Sequence, residues 1–190
     1  REYTKKITAS SQHLLNLIND GLDMSKIESG KTSLNITELG IPELVEELYS
    51  ILLPQAKAKR QKFEIHVFGK VPDVILGDKL RINQILLNLL SNAIKYTKQG
   101  GISIYMEEGD GKVLVISDTG IGIAPEDQPR IFEKGFTGYN GRHDKKSTGI
   151  GLYLCRRILN RLSHTVSVES EPGIGTKIRF HLDTVQLETE

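Results

Sequence analysis

The stretch DKLRINQILLNLLSNAIKYT, residues 78–97, decides the fold of this 190-residue chain. Residues three and four positions apart share one face of a helix. At that spacing the stretch carries one polar stripe, which consists of Arg81, Gln84, Asn88, Asn92 and Lys95. The other face is apolar, which predicts a helix that is buried along much of its length. Because buried amides without a partner cost about 1–3 kcal/mol each, another polar element or a ligand must cover the stripe.

Three glycine-rich segments follow this predicted helix. DTGIGI, residues 118–123, comes directly after an apolar run, residues 113–116, that indicates a buried strand. STGIGLYL, residues 147–154, opens a predicted helix, and GIGT, residues 173–176, joins two runs typical of strands. Glycines let a backbone approach a flat ring closely, and backbone amides at a helix start can bind phosphate oxygens. A single segment of this kind is more typical of a turn, so their combination carries the signal.

The order and spacing of these segments are specific when they are taken together. With IFEKGF, residues 131–136, they resemble the asparagine box, the phenylalanine box and the three glycine boxes of sensor histidine kinases. The resemblance covers essentially the whole chain. It is to the catalytic and ATP-binding domain, within the superfamily shared with gyrase, heat-shock chaperone and mismatch-repair ATPases. It implies an α+β fold, a two-layer sandwich that binds ATP, with an N-terminal amphipathic dimerisation helix.

The resemblance implies a role for each matching residue. Asn88 and Asn92 would coordinate Mg²⁺, which takes hard oxygen ligands and keeps several waters. Lys95 and Tyr96 would contact the nucleotide, with the ammonium as a point charge against the triphosphate. Asp118 would accept a hydrogen bond from the adenine amino group. The other residues expected at the ATP site are Gly120, Gly122, Ile123, Phe132, Thr148, Gly149, Gly151, Leu152 and Thr176.

The glycine segments would also shape and move the pocket. Gly149 and Gly151 resemble the hinge of a mobile lid on the phosphate side. Ser147 stands where the family often has glycine, and we expect its side chain to stiffen that lid. Thr176 resembles a hydroxyl that supports either Asp118 or the purine.

Asn88 separates the branches of the superfamily. Gyrase-like and chaperone ATPases place a glutamate there as a general base, whereas an amide is a poor base. Phosphoryl transfer depends mainly on positioning and charge neutralisation, so the resemblance implies a kinase with an external histidine as acceptor. Two alternatives stay open: an ATPase of the gyrase or chaperone type, and a degenerate scaffold that only dimerises. The intact Asn92, Asp118 and glycine boxes argue against the scaffold.

Residues 1–31 resemble part of the second helix of the family's dimerisation and phosphoacceptor hairpin. Their apolar residues recur at helical spacing, at Ile7, Leu14, Leu17, Ile18, Met24 and Ile27. The catalytic ATP-binding domain would span residues 32–184, and residues 185–190 would form a polar tail. We expect the full protein to be a homodimer, with a response-regulator receiver domain as a further partner.

The sequence offers no phosphoacceptor and therefore no certain catalytic residue. The family's acceptor histidine is followed by an acid and then by a Thr-Pro or Asn-Pro pair, and none of the five histidines has such neighbours. His13 is interpreted as an ordinary polar or interface position. We expect a fragment that binds ATP and lacks the acceptor helix, so that it cannot phosphorylate itself.

Composition restricts the remaining partners. A net charge of +1 argues against a dedicated nucleic-acid surface. The local basic cluster at Lys57, Lys59, Arg60 and Lys62 is interpreted as a solvated helix end. No apolar run reaches the 18 or so residues of a spanning helix, so we expect no membrane segment in this fragment. Its expected location is the cytoplasm, including as the cytoplasmic part of a membrane-bound sensor.

The patterns also predict the order of elements. Helices are expected at 4–29, 41–59, 78–96 and 149–162, with the first helix ending near Gly30. Strands are expected at 32–37, 62–68, 101–107, 112–118, 164–170 and 175–183. Residues 109–111, Gly-Asp-Gly, predict a hairpin turn between two of these strands.

Overall fold

The computed structural model describes residues 34–63, 74–107, 112–138 and 147–182, together with the single positions 11 and 18. Five predictions lie outside these residues. They concern the dimerisation helix apart from Ser11 and Ile18, the boundary near residue 31, the turn at residues 109–111, the lid expected before Ser147, and the polar tail.

Besides a short 3-10 helix, Gln128–Arg130, three α-helices have both ends in the described part of the chain. They are α1 (Ile41–Ala58), α2 (Lys79–Tyr96) and α3 (Gly151–Arg161). Helix α1 buries Leu44, Leu48, Leu52 and Ala56, which recur every four residues and form one apolar stripe. Asp78 caps the start of helix α2, since its carboxylate accepts a hydrogen bond from the backbone N–H of Arg81 at 3.1 Å. This N-cap satisfies one of the amides that a helix start leaves without a partner.

The described strands, numbered along the chain, form two sheets. They are β1 (Thr37–Gly40), β2 (Lys62–Phe63), β3 (Val74–Gly77), β4 (Gly101–Glu107), β5 (Lys112–Asp118), β6 (Thr165–Glu171) and β7 (Gly175–Leu182). The larger sheet has the order β2-β4-β5-β7-β6, and the smaller one pairs β1 with β3. All neighbours are antiparallel except β2 and β4. The register places Asp118 opposite Thr176, so both stand at the same end of the larger sheet.

The core lies between the three helices and one face of the larger sheet. Its apolar cluster joins side chains from both layers, including Leu52, Leu90, Leu154 and Phe180, each at most 2% exposed. This arrangement confirms the predicted α+β fold. None of the helices in the described part is both long enough and apolar enough to cross a membrane.

The structure corrects two of the predicted elements. The strand predicted at 32–37 is wrong for residues 34–36, since β1 begins at Thr37. Its partner β3 was not predicted, because a four-residue apolar run is too short to show a period. Helix α3 begins at Gly151 and not at 149, because Gly149 has φ +67°. That conformation favours glycine and is not helical.

The basic cluster at the end of α1 is also more than a solvated surface. The Lys59 ammonium donates to the carbonyl oxygens of Ile94 (2.9 Å) and Lys95 (3.3 Å). The side-chain amide of Gln61, which is buried, donates to the carbonyls of Ile94 and Thr97. Carbonyls at a helix C-terminus lack helical partners and carry partial negative charge. Lys59 and Gln61 therefore hold the end of α2, where Lys95 and Tyr96 lie.

Candidate functional site

A cavity of about 270 Å³ lies between α2, the ends of β5 and β7, and the start of α3. Twelve of the fourteen predicted site residues line it. They are Asn88, Asn92, Lys95, Tyr96, Asp118, Gly122, Ile123, Thr148, Gly149, Gly151, Leu152 and Thr176. Residues up to 88 positions apart in the sequence thus meet at one site.

Helix α2 forms the polar wall of this cavity. Asn88, Asn92 and Lys95 follow one another at successive turns, as the stripe predicted. Gly151 lies beside Asn88, since a Cβ atom on Gly151 would be 3.4 Å from the Asn88 amide oxygen. The start of α3 therefore reaches the asparagine side chains closely.

Ser147 connects the end of α2 to the second glycine segment. Its hydroxyl accepts a hydrogen bond from the Lys95 ammonium at 2.6 Å. The Tyr96 hydroxyl lies 3.3 Å from the same Ser147 oxygen, where either group can donate. Glycine could make neither contact. The proposal that Ser147 stiffens the lid stays a prediction, with these two contacts as its physical basis.

Asp118 provides the cavity with a buried carboxylate at the end of β5. Burial raises the pKa of Asp118 above its ordinary value of 3.8, because it disfavours the charged form. The backbone N–H groups of Gly120 and Thr176, together with the nearby Thr97 hydroxyl, oppose that rise. The Gly120 N–H donates to Asp118 Oδ1 at 2.8 Å. These donors hold the carboxylate in place as an acceptor.

Gly122 allows the first glycine segment to pack against the β6–β7 turn. It has φ +69°, and a Cβ atom there would lie 2.1 Å from the carbonyl oxygen of Glu171. A side chain at this position would force the two segments apart. The glycine therefore keeps the end of β5 next to the strand that carries Thr176.

Two predicted residues do not line the cavity. Gly120 lies behind Asp118 and contributes its N–H. Phe132 is buried, and its ring centre lies 6.0 Å from the Arg156 guanidinium carbon. The apolar wall on this side comes instead from Ile131 and Phe136. Phe132 was the ring expected at the ATP site, whereas the ring that lines the cavity belongs to Phe136.

Sequence reasoning missed several polar residues at the site. Asp127 and Thr137 line the cavity, and Thr97 supports Asp118 from behind. Thr97 directly follows the polar stripe, and it is 1% exposed despite its hydroxyl. A polar residue at the end of a buried helix was the available signal. The sequence offered no such signal for Asp127 and Thr137, because they lie in irregular loops.

Comparison with known proteins identifies the family. The model described as "Histidine kinase-, DNA gyrase B-, and HSP90-like ATPase" matches residues 77–186, more than half of the chain. This chain belongs to that family. The earlier resemblance to the catalytic ATP-binding domain of sensor histidine kinases is confirmed.

The relatives lie in the histidine kinase branch. The signal transduction histidine-protein kinase BarA of Escherichia coli K12 is 34% identical over 96% of this chain and 21% of its own length. The non-motile and phage-resistance protein of Caulobacter vibrioides is 38% identical over 95% of this chain and 22% of its own. Full-length ShkA in complex with AMPPNP superimposes with a TM-score of 0.80 at 31% identity, covering 95% of this chain and 38% of ShkA. The chain thus spans about a fifth of the length of the curated relatives.

Proposed function

We propose that this chain is the ATP-binding kinase core of a two-component sensor histidine kinase. It would bind Mg-ATP and position the γ-phosphate for transfer to a histidine on another helix. The observation that carries this proposal is the convergence of twelve predicted residues on one cavity. A scaffold that only dimerises has no need of such a convergence.

The two ends of the cavity suit the two ends of ATP. Asp118 is a carboxylate acceptor at the end of β5, which suits the amino group of adenine. Lys95, Thr148 and Gly151 lie where α2 meets the start of α3. A cation and helix-start amides suit phosphate oxygens. ShkA, which shares this fold, was solved with AMPPNP, a triphosphate analogue of ATP.

Asn88 and Asn92 would hold the magnesium ion. In the described residues no group of three or more His, Cys, Asp or Glu side chains could hold a metal. Two amide oxygens in the cavity fit Mg²⁺, because this ion commonly binds few protein ligands and takes phosphate oxygens and waters for the rest. The ion would neutralise charge on the phosphates. Asn88 and Asn92 would place it beside the start of α3.

The polar wall of α2 favours transfer over hydrolysis. Activation of water needs a general base near the γ-phosphate, and Asn88 offers only an amide. The carboxylates among the lining residues, Asp118 and Asp127, belong to β5 and to the loop after it, not to α2. We therefore expect the bound ATP to persist until an acceptor histidine is supplied.

The role of the full protein in phosphotransfer signalling is part of the same proposal. The acceptor histidine would lie on the first helix of the dimerisation hairpin, and the full protein would be a homodimer. The phosphoryl group would then pass to an aspartate of a response-regulator receiver domain. Such a core would work in the cytoplasm, where ATP is available.

A phosphotransfer assay separates the three candidate functions. The chain is incubated with Mg-ATP labelled at the γ-phosphate, alone and with a dimerisation hairpin of a sensor histidine kinase that carries an acceptor histidine. A kinase core labels the hairpin with an acid-labile phosphate and releases little ADP alone. Steady ADP release without labelling would support the ATPase. Absence of nucleotide binding would support the scaffold.

A further inference from the structure

Ser170 lies on β6, directly behind the end of the cavity that holds Asp118 and Thr176. Its hydroxyl accepts a hydrogen bond from the backbone N–H of Ile123 at 2.8 Å. It donates to the carbonyl oxygen of Gly175 at 2.8 Å. Its third neighbour is the Thr176 hydroxyl at 2.9 Å, where geometry alone leaves the donor open. Together these three bonds fill the capacity of a hydroxyl group.

Counting hydrogens resolves the direction of that third bond. A hydroxyl has one hydrogen, and a carbonyl oxygen can only accept. The Ser170 hydrogen is therefore used on Gly175, and the Thr176 hydroxyl must donate to Ser170. The hydrogen of Thr176 is then turned away from the cavity that this residue lines. Its oxygen lone pairs remain, so Thr176 presents an acceptor to a ligand.

Gln128 fixes Ser170 from the other side. Its side-chain amide donates to the carbonyl oxygens of Ile123 (3.0 Å) and Ser170 (2.7 Å). The same two residues are joined by the Ile123 N–H bond to the Ser170 hydroxyl. Ser170 thus cannot turn away without breaking several bonds at once, and the direction of the Thr176 hydroxyl is held.

We propose that Ser170 is a positioning residue that determines which purine this cavity accepts. Thr176 stands opposite Asp118 in the strand register, and both present acceptors. At C6 a 6-amino purine brings N–H donors to such a site. A 6-oxo purine brings an acceptor at C6 and has its donor at N1 instead, so acceptors that face C6 are left unpaired. Ser170 therefore contributes to the preference for adenine although it does not line the cavity. The inference rests on the proposed nucleotide-binding function.

Calorimetric titrations with ATP and ITP test this inference. The two nucleotides carry the same triphosphate, so their affinity ratio isolates the base. In Ser170→Ala the Thr176 hydroxyl becomes free to donate, which weakens ATP and favours the 6-oxo group of ITP. One neutral hydrogen bond corresponds to about a three- to tenfold fall in the ATP/ITP ratio. Ser170→Thr keeps the hydroxyl and should keep the ratio.

Two further variants separate positioning from general damage. Ser167→Ala makes the same change on the opposite face of β6, at an exposed residue beside His181, and should leave the ratio unchanged. Thr176→Val should lower the ratio, and Ser170→Ala should have no additional effect in that background. If Ser170→Ala fails to fold, an unchanged ratio in Thr176→Val would still overturn the inference, because Ser170 acts only through the Thr176 hydroxyl.

The outcomes distinguish this inference from the proposed function. An unchanged ratio in Ser170→Ala, with both nucleotides weakened equally, would overturn the positioning role. A wild-type chain that binds ATP and ITP equally would overturn it while leaving nucleotide binding intact. A wild-type chain that binds neither would refute the proposed function, and the inference with it.

Discussion

Replacement of Asp118 by asparagine tests the adenine end of the cavity. The carboxylate accepts a hydrogen bond from the Gly120 N–H, and its charge strengthens any bond to a ligand amino group. The amide keeps one acceptor oxygen, which the Gly120 N–H already engages at 2.8 Å in the native protein. The NH₂ group of the new asparagine side chain would then face the N–H and O–H donors that surround the carboxylate in the native protein.

The expected loss of affinity follows from these contacts. A hydrogen bond to a charged group is worth about 1.5–3 kcal/mol, so nucleotide affinity should fall about ten- to a hundredfold. The fold should survive. Burial raises the pKa of Asp118 despite the donors around it, so removal of the charge lowers the cost of burying this side chain.

Two measurements complete this test. Calorimetric titration of wild type and Asp118→Asn with AMPPNP and Mg²⁺ gives the affinity ratio. Thermal unfolding of the ligand-free proteins shows whether the variant is folded. Wild-type affinity in a folded Asp118→Asn protein would refute the assignment of Asp118 to adenine.

Three further predictions concern the other parts of the site. Asn92→Ala should remove most of the magnesium dependence of nucleotide binding, and a variant that still responds to Mg²⁺ like wild type would exclude Asn92 as a ligand. Lys95→Ala should weaken ATP while leaving adenosine affinity unchanged, because the ammonium acts on phosphates; equal weakening of both in parallel titrations would argue for a structural role. Nucleotide affinity should fall as the pH drops through the raised pKa of Asp118, at a pH above 3.8, because protonation removes the charged acceptor. Asp118→Asn should lack that step, which controls for titration of the nucleotide itself. The free energy of unfolding should change in the opposite sense, decreasing as the pH rises from 3.8 through the raised pKa, since the native state holds this proton more tightly.

The sequence predicted the parts of the fold that have a strong local pattern. The polar stripe predicted which face of α2 lines the cavity, and the apolar residues predicted which face is buried. Both ends of α2 lie within one residue of the prediction. Strands β4 and β5 have the predicted bounds, because long apolar runs with glycine between them are distinct in sequence. The asparagines and glycines of the site were predicted through the family resemblance, and the chemistry of each residue type supports its assigned role.

The rest depends on contacts between distant segments. Strand β3 is a four-residue run whose pairing with β1 crosses α1, so no local pattern shows it. Gln61 supports α2 from 33 positions away, and Gln128 reaches Ser170 across 42 positions. Phe132 and Phe136 differ only in which side of a loop they occupy. Such choices are made by tertiary packing and not by residue type.

The central claim is that this cavity binds Mg-ATP, and direct calorimetric titration tests it most simply. The wild-type chain is titrated with AMPPNP in the presence of Mg²⁺ and again with the metal chelated. We predict saturable binding of one nucleotide per chain at micromolar strength with Mg²⁺, and clearly weaker binding without it. Absence of binding under both conditions, in a protein that unfolds cooperatively, would contradict the assignment of this site.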